Sequence, residues 1–416
     1  MIRHTKDSGV EWLGKIPGNW SVSKYKYFAN SRMGETILSS DTAEQQDEYN
    51  NIPIYSATQD DTVFGFMHKP NLLLKKNDFV IPARGNSIGC ITMVKDDVAT
   101  CTQTTICSRD IHDIDISYLY WCGCGLKDYW FKYDGSAIPQ ITVSQVNNNI
   151  VPIPPIEEQK RISAFLNKKC SEIDSAIVKT KSSIAQYIQL RRAMIANAVT
   201  KGIKKERTTK KSGMKWLETI PEEWESINPK ALFVQRKDKA QAGEKQLTAS
   251  QQYGVIYQDE YMELTGTKIV TVEKDFDILK HVEAGDFVIS MRSFQGGLEY
   301  SEKSGSISSA YVMLIPNLDM VYPRFYKWLF KSSVYINALQ STSNLVRDGQ
   351  AMRYSNFAQV RLYSVPLDEQ KEIADYLDKK CAEIDTLIAK KTALLEEMET
   401  YKKSVIYEYV TGKKEV

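Results

Sequence analysis

Apolar residues recur at alternating spacings of four and three in two long stretches of the chain, a pattern that predicts helices packed against another helix. One stretch follows Pro154-Pro155 and the other follows Pro366. Two acidic residues open each stretch, where the dipole of a helix favours negative charge. About 45 residues in each stretch would form a helix of about 67 Å. The seam positions are Leu166, Cys170, Ile173, Ile177, Thr180, Ile184, Tyr187, Arg191, Met194 and Ala198 in the first stretch, and Leu377, Cys381, Ile384, Ile388, Lys391, Leu395, Met398, Lys402, Val405 and Tyr409 in the second.

Polar residues occupy two matching positions of the seams, Thr180 with Lys391 and Arg191 with Lys402. A buried cation without a partner is costly, so we expect these residues to lie at an edge or to meet a partner. A helix of this length also needs a second helix along much of its surface, and the other copy is the obvious candidate. We therefore predict an antiparallel intramolecular coiled coil with one globular region at each end.

The two helices begin inside an internal repeat. Residues 154–174 and 366–385 share P-x-x-E-Q-K-x-I followed by L-x-K-K-C-x-E-I-D, at a constant offset of 211 residues. A second motif, W-L-x-x-I-P-x-x-W, begins at Trp12 and again at Trp216. Its tryptophans are best explained as a packed cap on a domain, with ligand contact as the minor alternative. A repeat this long exceeds a solenoid unit and indicates two similar halves.

Each half contains a globular region of mixed structure. Runs of β-branched and aromatic residues predict buried strands at 78–82, 88–94, 286–290 and 310–315. Helical spacing predicts helices at 116–127 and 323–339. The predicted fold is α+β, with two similar mixed α/β domains separated by two long helices. The predicted limits are 1–155 for the first domain, 156–203 for the first helix, 204–366 for a linker with the second domain, and 367–416 for the second helix.

Composition is that of a soluble globular protein, with 42% hydrophobic and 25% charged residues. A net charge of +2 argues mildly against a nucleic-acid partner without excluding it, because the distribution of charge over the surface decides. The seven scattered cysteines form no disulfide framework and fit a reducing cytosol. No secretory signal and no run of 18 apolar residues is found, so we expect a cytoplasmic protein without a membrane partner.

Residues 201–213 connect the two halves and are rich in lysine. We interpret them as a linker because they contain almost no apolar residues. A solvated connection and a contact with phosphate groups are both compatible with this charge.

The motifs of common catalytic sites are missing. The chain has no Walker-type or G-x-G-x-x-G loop, no H-E-x-x-H and no paired C-x-x-C. Glu158-Gln159-Lys160 and Glu369-Gln370-Lys371 match E-x-K, the end of a metal-dependent nuclease signature. That triplet belongs on a core strand in a nuclease, whereas here it falls in the first turn of a helix. We therefore expect no enzymatic activity, metal or cofactor in this chain.

The repeats together resemble the DNA specificity subunits of type I restriction-modification systems. The resemblance rests on the W-L-x-x-I-P-x-x-W openers, the D-F-V-I strands followed by Arg84 or Arg292, and the P-x-x-E-Q-K-x-I helix starts. It covers nearly the whole chain, twice. It implies a non-catalytic subunit with two target-recognition domains, each recognising one half of a bipartite, interrupted and asymmetric site in double-stranded DNA.

The resemblance also implies partners. The two helices would set the spacing between the domains and dock two DNA methyltransferase subunits and, through them, a restriction and translocase subunit. The methyl donor and ATP would be used by those partners.

Polar residues on Gly-containing segments after a buried strand are candidates for base contacts, since Arg can bond guanine, and Gln or Asn adenine, through two contacts. A second cluster precedes each long helix. Solvated turns are the competing interpretation. The charged first turns of the helices are candidates for docking the partner subunits. The DNA-contact candidates are Arg84, Asn86, Ser87, Ser136, Gln140, Arg292, Ser293, Gln295, Arg347, Gln350 and Arg353, and the docking candidates are Glu158, Gln159, Lys160, Glu369, Gln370 and Lys371.

Two other functions stay open at this point. One is a coiled-coil scaffold whose globular ends bind proteins, and the other is a self-sufficient nuclease or methyltransferase. DNA binding through several phosphates must weaken steeply with salt, with a slope of about −0.9 per contact, which a protein scaffold would not show. A self-sufficient enzyme would need activity from the purified chain alone.

Overall fold

The computed structural model describes residues 3–57, 63–131, 139–269, 271–272, 278–342 and 352–416. Its contacts divide the chain into two compact units, one formed by Met1–Lys181 with Ala393–Val416 and the other by Ser182–Thr392. The predicted domain limits treated each long helix separately, whereas these contacts divide each helix between the two units.

Unit 1 combines two four-stranded sheets with two short helices and parts of both long helices. Its strands are β1 (Thr5–Asp7), β2 (Lys15–Pro17), β3 (Ser21–Lys24), β4 (Asn30–Met33), β5 (Ile52–Tyr55), β6 (Gly65–Met67), β7 (Leu74–Lys75), β8 (Phe79–Pro82), β9 (Thr92–Met93), β10 (Val98–Cys101), β11 (Thr105–Arg109) and β12 (Ile150–Ile153); its helices are α1 (Ile116–Trp130), α2 (Val143–Asn148) and the first part of α3 (Ile156–Lys201).

The sheets of unit 1 have the orders β4-β11-β8-β9, which is antiparallel, and β6-β5-β10-β7, in which β5 and β10 are parallel. Strands β1 and β2 form a hairpin, and β3 pairs with β12. The main core lies between the first sheet, α1 and the ends of the long helices, with Phe79, Leu119, Leu166 and Val405 among its buried residues. Burial of side chains of this size contributes roughly 1.5–3 kcal/mol each.

Local sequence explains how α1 and α2 start. The side chain of Asp115 accepts a hydrogen bond from Tyr118 N at 2.8 Å and caps α1. Thr142 and Gln145 form a capping box at the start of α2. Both caps satisfy backbone donors that a helix leaves unpaired.

Unit 2 repeats this layout with a different second sheet. Its strands are β13 (Thr209–Met214), β14 (Leu217–Pro221), β15 (Glu225–Ile227), β16 (Phe233–Gln235), β17 (Leu247–Ser250), β18 (Gly254–Tyr257), β19 (Lys280–Val282), β20 (Phe287–Ile289), β21 (Glu299–Tyr300), β22 (Gly305–Ile307), β23 (Val312–Pro316) and β24 (Leu362–Ser364); its helices are α4 (Pro229–Leu232), α5 (Gln258–Thr265), α6 (Ser293–Gly296), α7 (Pro323–Lys331), α8 (Ser333–Gln340), α9 (Tyr354–Gln359) and the first part of α10 (Leu367–Val410).

The sheet order β16-β23-β20-β21 of unit 2 matches β4-β11-β8-β9 of unit 1. Two hairpin-like pairs, β17-β18 and β19-β22, stand where unit 1 has its second four-stranded sheet, and a single parallel bridge between Gln246 and Ser306 links them. The main core contains Val199, Phe287, Leu329 and Leu377. The predicted α+β duplication is confirmed.

The long helices run antiparallel within each unit. In unit 1, Lys402 Nζ bonds the carboxylate of Asp174 at 2.6 and 2.7 Å, and Lys181 lies 3.9 Å from Glu399. From the first pair to the second, the residue number rises on α3, from 174 to 181, and falls on α10, from 402 to 399, as it does between antiparallel helices. The predicted polar seam residue Lys402 therefore has an acidic partner.

In unit 2, Arg191 Nε lies 2.9 Å from Asp385 Oδ1, and Lys391 Nζ lies 5.8 Å from the ring centre of Tyr187. The pairing is again antiparallel. Every predicted seam position is buried or half-buried. The predicted coiled-coil seam is thus confirmed within both units, and its seam cations meet partners.

Three local predictions were wrong in part. Residues 88–91 form no strand, because Ile88 N bonds Gly85 O at 3.2 Å and Cys90 N bonds Ser87 O at 3.0 Å in successive turns. The predicted helix 323–339 is two helices, α7 and α8, and Ser332 caps the second. The presumed linker contributes strand β13, so it belongs to a folded hairpin. No helix of the described residues is long and apolar enough to cross a membrane.

Candidate nucleic-acid interface

The segment after β8 projects polar side chains from unit 1. Gly89 N bonds Pro82 O at 2.8 Å, which folds the chain back over the end of the strand. Gly85 and Gly89 have φ values of +85° and +74°, a region that favours glycine. Arg84 and Asn86 are exposed at this turn, as an approach to a ligand requires.

Arg84 Nη2 donates a hydrogen bond to Gln140 Oε1 at 3.2 Å. The backbone explains the contact, because Ile141 N bonds Ala83 O at 3.0 Å and brings the segment before α2 beside the end of β8. The structure therefore brings together two candidate clusters that lie far apart along the chain, the segment after β8 and the segment that contains Gln140.

Ser87 fits the prediction less well. Its hydroxyl is buried and has no hydrogen-bond partner among the described residues. It is therefore not available at the surface for a base contact in this conformation. Ser136 lies outside the described residues.

The corresponding segment of unit 2 is a short helix, α6, rather than an irregular loop. Arg292 and Gln295 are exposed there. Ser293 is only 1% exposed, and its Oγ accepts a hydrogen bond from Ser290 N at 2.8 Å. The prediction that Ser293 contacts DNA is wrong for this conformation, because the side chain holds the turn together from inside.

Arg353 stands at the start of α9 and is exposed. Its backbone N–H donates to Asn356 Oδ1 at 3.0 Å. No hydrogen bond among the described residues joins Arg353 to the Arg292 segment. Arg347 and Gln350 lie outside the described residues.

Sequence reasoning missed Gln251, which lies between β17 and β18. Its Nε2 donates to Arg292 O at 3.3 Å, and its side chain fills the space where a Cβ at Gly296 would lie. A signal was present, since Thr248-Ala249-Ser250-Gln251 resembles Ser56-Ala57-Thr58-Gln59 of the first half.

The candidate interface includes three exposed arginines. Arg84, Arg292 and Arg353 make no ion pair with any residue that the structure describes. Arg236 differs, because hydrogen bonds to Asp286 at 2.6 and 3.0 Å occupy it and raise its pKa. A free, exposed guanidinium can bond phosphate or guanine through two contacts.

The glutamates of the helix starts are buried. Glu158 accepts hydrogen bonds from Arg3 and, at 3.1 Å, from Trp20 Nε1. Glu369 accepts two from Arg207 and one from Trp224 Nε1, also at 3.1 Å. The arginines lie over the same tryptophan rings, at 5.6 and 5.5 Å from the ring centres.

The glutamines beside them are buried as well. Gln159 accepts a bond from Asp115 N at 2.8 Å and donates to Pro154 O at 2.9 Å. Gln370 accepts from Tyr322 N at 2.7 Å and donates to Val365 O at 2.8 Å. Each glutamine thus ties the start of a long helix to the start of a helix in the globular region, α1 or α7.

These contacts correct the docking prediction for four residues. Glu158, Gln159, Glu369 and Gln370 are at most 7% exposed and bind within their own unit, so they offer no surface to a partner. Lys160 and Lys371 are exposed and face Glu157 and Asp368 of their own helices. Docking through these two lysines stays a prediction.

The sequence analysis also missed the arginines that bind these glutamates, Arg3 and Arg207. The sequence does contain a signal for them, because the W-L-x-x-I-P-x-x-W repeat extends further towards the N-terminus. The extension reads T-K-x-S-G-x-x-W-L and begins at Thr5 and at Thr209. Each arginine precedes it by two residues. The glutamate of each E-x-K triplet is therefore engaged by an arginine and a tryptophan, and no group of three or more His, Cys, Asp or Glu that could hold a metal occurs among the described residues.

Residues 17–182 match the family model of the type I restriction modification DNA specificity domain. A relative in Methanocaldococcus jannaschii, the type I restriction enzyme MjaVIII specificity subunit, is 24% identical over 370 residues, which is 82% of this chain and 80% of the relative. A family model over residues 17–182 and a relative matched over most of the chain thus both support the resemblance to type I restriction-modification specificity subunits. The predicted resemblance is confirmed.

Solved structures show that the chain shares its fold with other proteins. A chain from a study of complex assembly and conformational transition in a type I system has a TM-score of 0.70 at 14% identity, covering 96% of this chain and 99% of that chain. The HsdS subunit of Thermoanaerobacter tengcongensis has a TM-score of 0.52 at 13% identity, covering 98% of this chain and the whole of that chain.

Proposed function

We propose that this protein is a type I specificity subunit that recognises a bipartite DNA site, with each unit contacting one part of it, and that it has no catalytic activity of its own. The observation that carries the proposal is the pairing of a shared topology with unlike exposed side chains. Both units place an arginine at the end of the same central strand, β8 or β20, at Arg84 and Arg292.

The neighbours of these arginines differ between the units. Asn86 and Gln140 accompany Arg84, whereas Gln251 and Gln295 accompany Arg292. Arginine and amide side chains are those that bond purine edges in the major groove. Two similar scaffolds with different contacts favour an asymmetric site, in which the two parts have different sequences.

We propose further that the long helices recruit methyltransferase subunits and, through them, a restriction subunit. In unit 1 the helices expose apolar side chains outside their seam, at Val178 (66% exposed), Leu394 (41%) and Tyr401 (51%). Exposed apolar side chains on a helix pair support a protein partner there. Continuous helices of 46 and 44 residues would set the spacing between the parts of the site.

The proposal is tested by selecting bound sequences from random double-stranded DNA, with the subunit purified together with its methyltransferase partner. We expect a bipartite motif for the wild-type protein. Arg292→Ala should relax one part and leave the other intact, and Arg84→Ala should do the reverse. Equal loss of affinity for all sequences in both variants would contradict base recognition by these residues.

The competing function is a scaffold that binds only proteins. It predicts no motif in the selection and no steep weakening of DNA binding with salt. The proposed function predicts a motif in the selection and a steep weakening of DNA binding with salt. The purified subunit alone should neither cleave nor methylate DNA.

A further inference from the structure

The turn between β10 and β11 of unit 1 presents uncharged hydrogen-bonding groups that neither the motifs nor the resemblance singled out. It consists of Thr102, Gln103 and Thr104, and the fold brings Ser56 and Thr36 beside it. Gln103 and Thr36 are exposed, while the other three are half-buried. We refer to these five residues as the hydroxyl cluster.

Hydrogen bonds connect the members of the hydroxyl cluster. Ser56 Oγ lies 2.9 Å from Thr102 Oγ1, which lies 2.8 Å from Thr104 Oγ1. Thr36 Oγ1 donates to Gln103 Oε1 at 2.8 Å. The side chains are therefore restrained before any ligand binds, which lowers the entropy cost of binding.

The backbone of the turn is held from three directions. Thr102 N bonds Tyr55 O at 3.0 Å at the end of β5, and Ala83 N bonds Thr104 O at 2.9 Å at the end of β8. On the third side, any side chain at Gly34 would overlap the carbonyl oxygen of Thr102. Because strand ends fix the turn, its side chains keep one orientation relative to the sheet.

This placement puts the hydroxyl cluster beside Arg84. Ala83, which bonds the turn, is the residue directly before Arg84, and Arg84 in turn bonds Gln140. The carboxylate of the adjacent Glu35 is occupied by Thr100 Oγ1 at 2.8 Å and Asn71 N at 2.9 Å. The cluster therefore extends the surface around Arg84 with neutral donors and acceptors.

We propose that Gln103, positioned by the hydroxyl cluster, contacts a base edge and determines part of the specificity of unit 1. The inference rests on the proposed function of DNA recognition. An amide presents a donor and an acceptor side by side, the arrangement that adenine complements in the major groove. The cluster carries no cation, so it adds little to the salt-dependent part of the affinity for phosphates, and we assign its contribution to sequence discrimination.

The equivalent turn of unit 2 supports a role in specificity. It lies between β22 and β23, at Ser308-Ser309-Ala310, because β23 pairs with β20 as β11 pairs with β8. Ser309 is exposed, as Gln103 is. The scaffold is kept while the long amide is replaced by a short hydroxyl, and the two units would then prefer different bases at corresponding positions.

The test compares Gln103→Ala with wild type in the selection from random double-stranded DNA, using the subunit with its methyltransferase partner. We expect one position in one part of the motif to relax, with discrimination there falling on the order of tenfold or more. The other part should be unchanged. The slope of affinity against salt should also be unchanged, since the substitution removes no cation.

Two further variants sharpen the result. Ser309→Ala should leave the part recognised by unit 1 unchanged. Gln103→Glu keeps the length of the side chain but replaces the donor by a charged acceptor, so it should alter the preferred base at the same position. Hydrogen exchange over β10 and β11 equal to wild type would show that the turn still folds.

An unaltered motif in Gln103→Ala overturns the inference. So does uniform weakening on all sequences, which would make Gln103 a backbone contact. A wild-type protein that selects no motif overturns the proposed function itself, and that outcome is distinguishable because it appears before any variant is made.

Discussion

Replacement of Arg207 by methionine should open unit 2 locally, because it strands a buried carboxylate. The side chains of Arg207 and Glu369 are only 8% and 3% exposed. Glu369 would keep one donor, Trp224 Nε1. Removal of one partner of a buried ion pair costs about 3–5 kcal/mol. At about 1.4 kcal/mol per factor of ten, the local opening constant should rise at least a hundredfold.

The matching variant in unit 1, Arg3→Met, supplies an internal comparison. Arg3 is more exposed, at 22%, and makes one hydrogen bond to Glu158 where Arg207 makes two to Glu369. Its other terminal nitrogen finds no partner among the described residues. We therefore expect a smaller loss, about 1–2 kcal/mol after allowance for solvent screening.

Hydrogen exchange measured by mass spectrometry separates the two effects, since peptides report each unit by itself. In Arg207→Met, peptides from β14, β15 and the start of α10 should lose protection while those of unit 1 keep it. Addition of Glu369→Gln should restore part of the protection, because no buried charge then remains. Exchange in Arg207→Met that matches wild type, or equal loss in both units, would refute the reasoning.

Three smaller predictions concern single sites. Although partial burial alone would lower the pKa of His281, hydrogen bonds to two carboxylates raise it above the ordinary 6.5. The contribution of protonated His281 to the stability of the folded protein is full below about pH 6.5 and is lost as pH rises through the raised pKa. An NMR titration midpoint at or below 6.5 would contradict this. Gly297→Ala should lower the free energy of unfolding by about 3 kcal/mol, measured by thermal unfolding, because Gly297 has a φ of +78° and a Cβ would overlap a carbonyl of α7. The control Gly213→Ala has a φ of +70° but open space around the position, and it should cost only about 1 kcal/mol. Lys402→Met should cost less than about 1 kcal/mol, since Asp174 is half exposed, and a larger loss that persists in high salt would contradict the surface character of the pair.

The parts of the fold with a strong period were predictable from the sequence. The seam of α3 and α10 follows from apolar spacing alone, and β8 and β20 follow from short runs of buried residues. Such patterns report burial on one face or along one strand, which is what the sequence encodes locally.

The chemistry of the helix starts was not predictable in the same way. Glu158 looked exposed because charged residues mostly are. Its partner Arg3 lies 155 residues away along the chain, and only the folded hairpin brings the two together. The role of Ser293 was not predictable either. Its hydroxyl accepts a hydrogen bond from Ser290 N inside the turn, whereas the sequence shows only that the segment is polar.

The exposed candidates were easiest to locate from the sequence where they directly follow a strand. Arg84 and Arg292 follow directly from the D-F-V-I strands. Gln251 lies on another loop and bonds the backbone of Arg292, and Gln103 lies in a turn whose Thr104 bonds Ala83, the residue before Arg84. A reading based on distance along the chain does not detect such neighbours.

The most direct test of the account is the pattern of methylated bases in the genome of cells that carry the gene, compared with cells that lack it and with cells that carry Arg292→Ala. We expect a bipartite methylated motif that disappears with the gene and that, in the variant, relaxes in one part only. A methylation pattern that is the same in all three strains would contradict the claim that this subunit selects the DNA site.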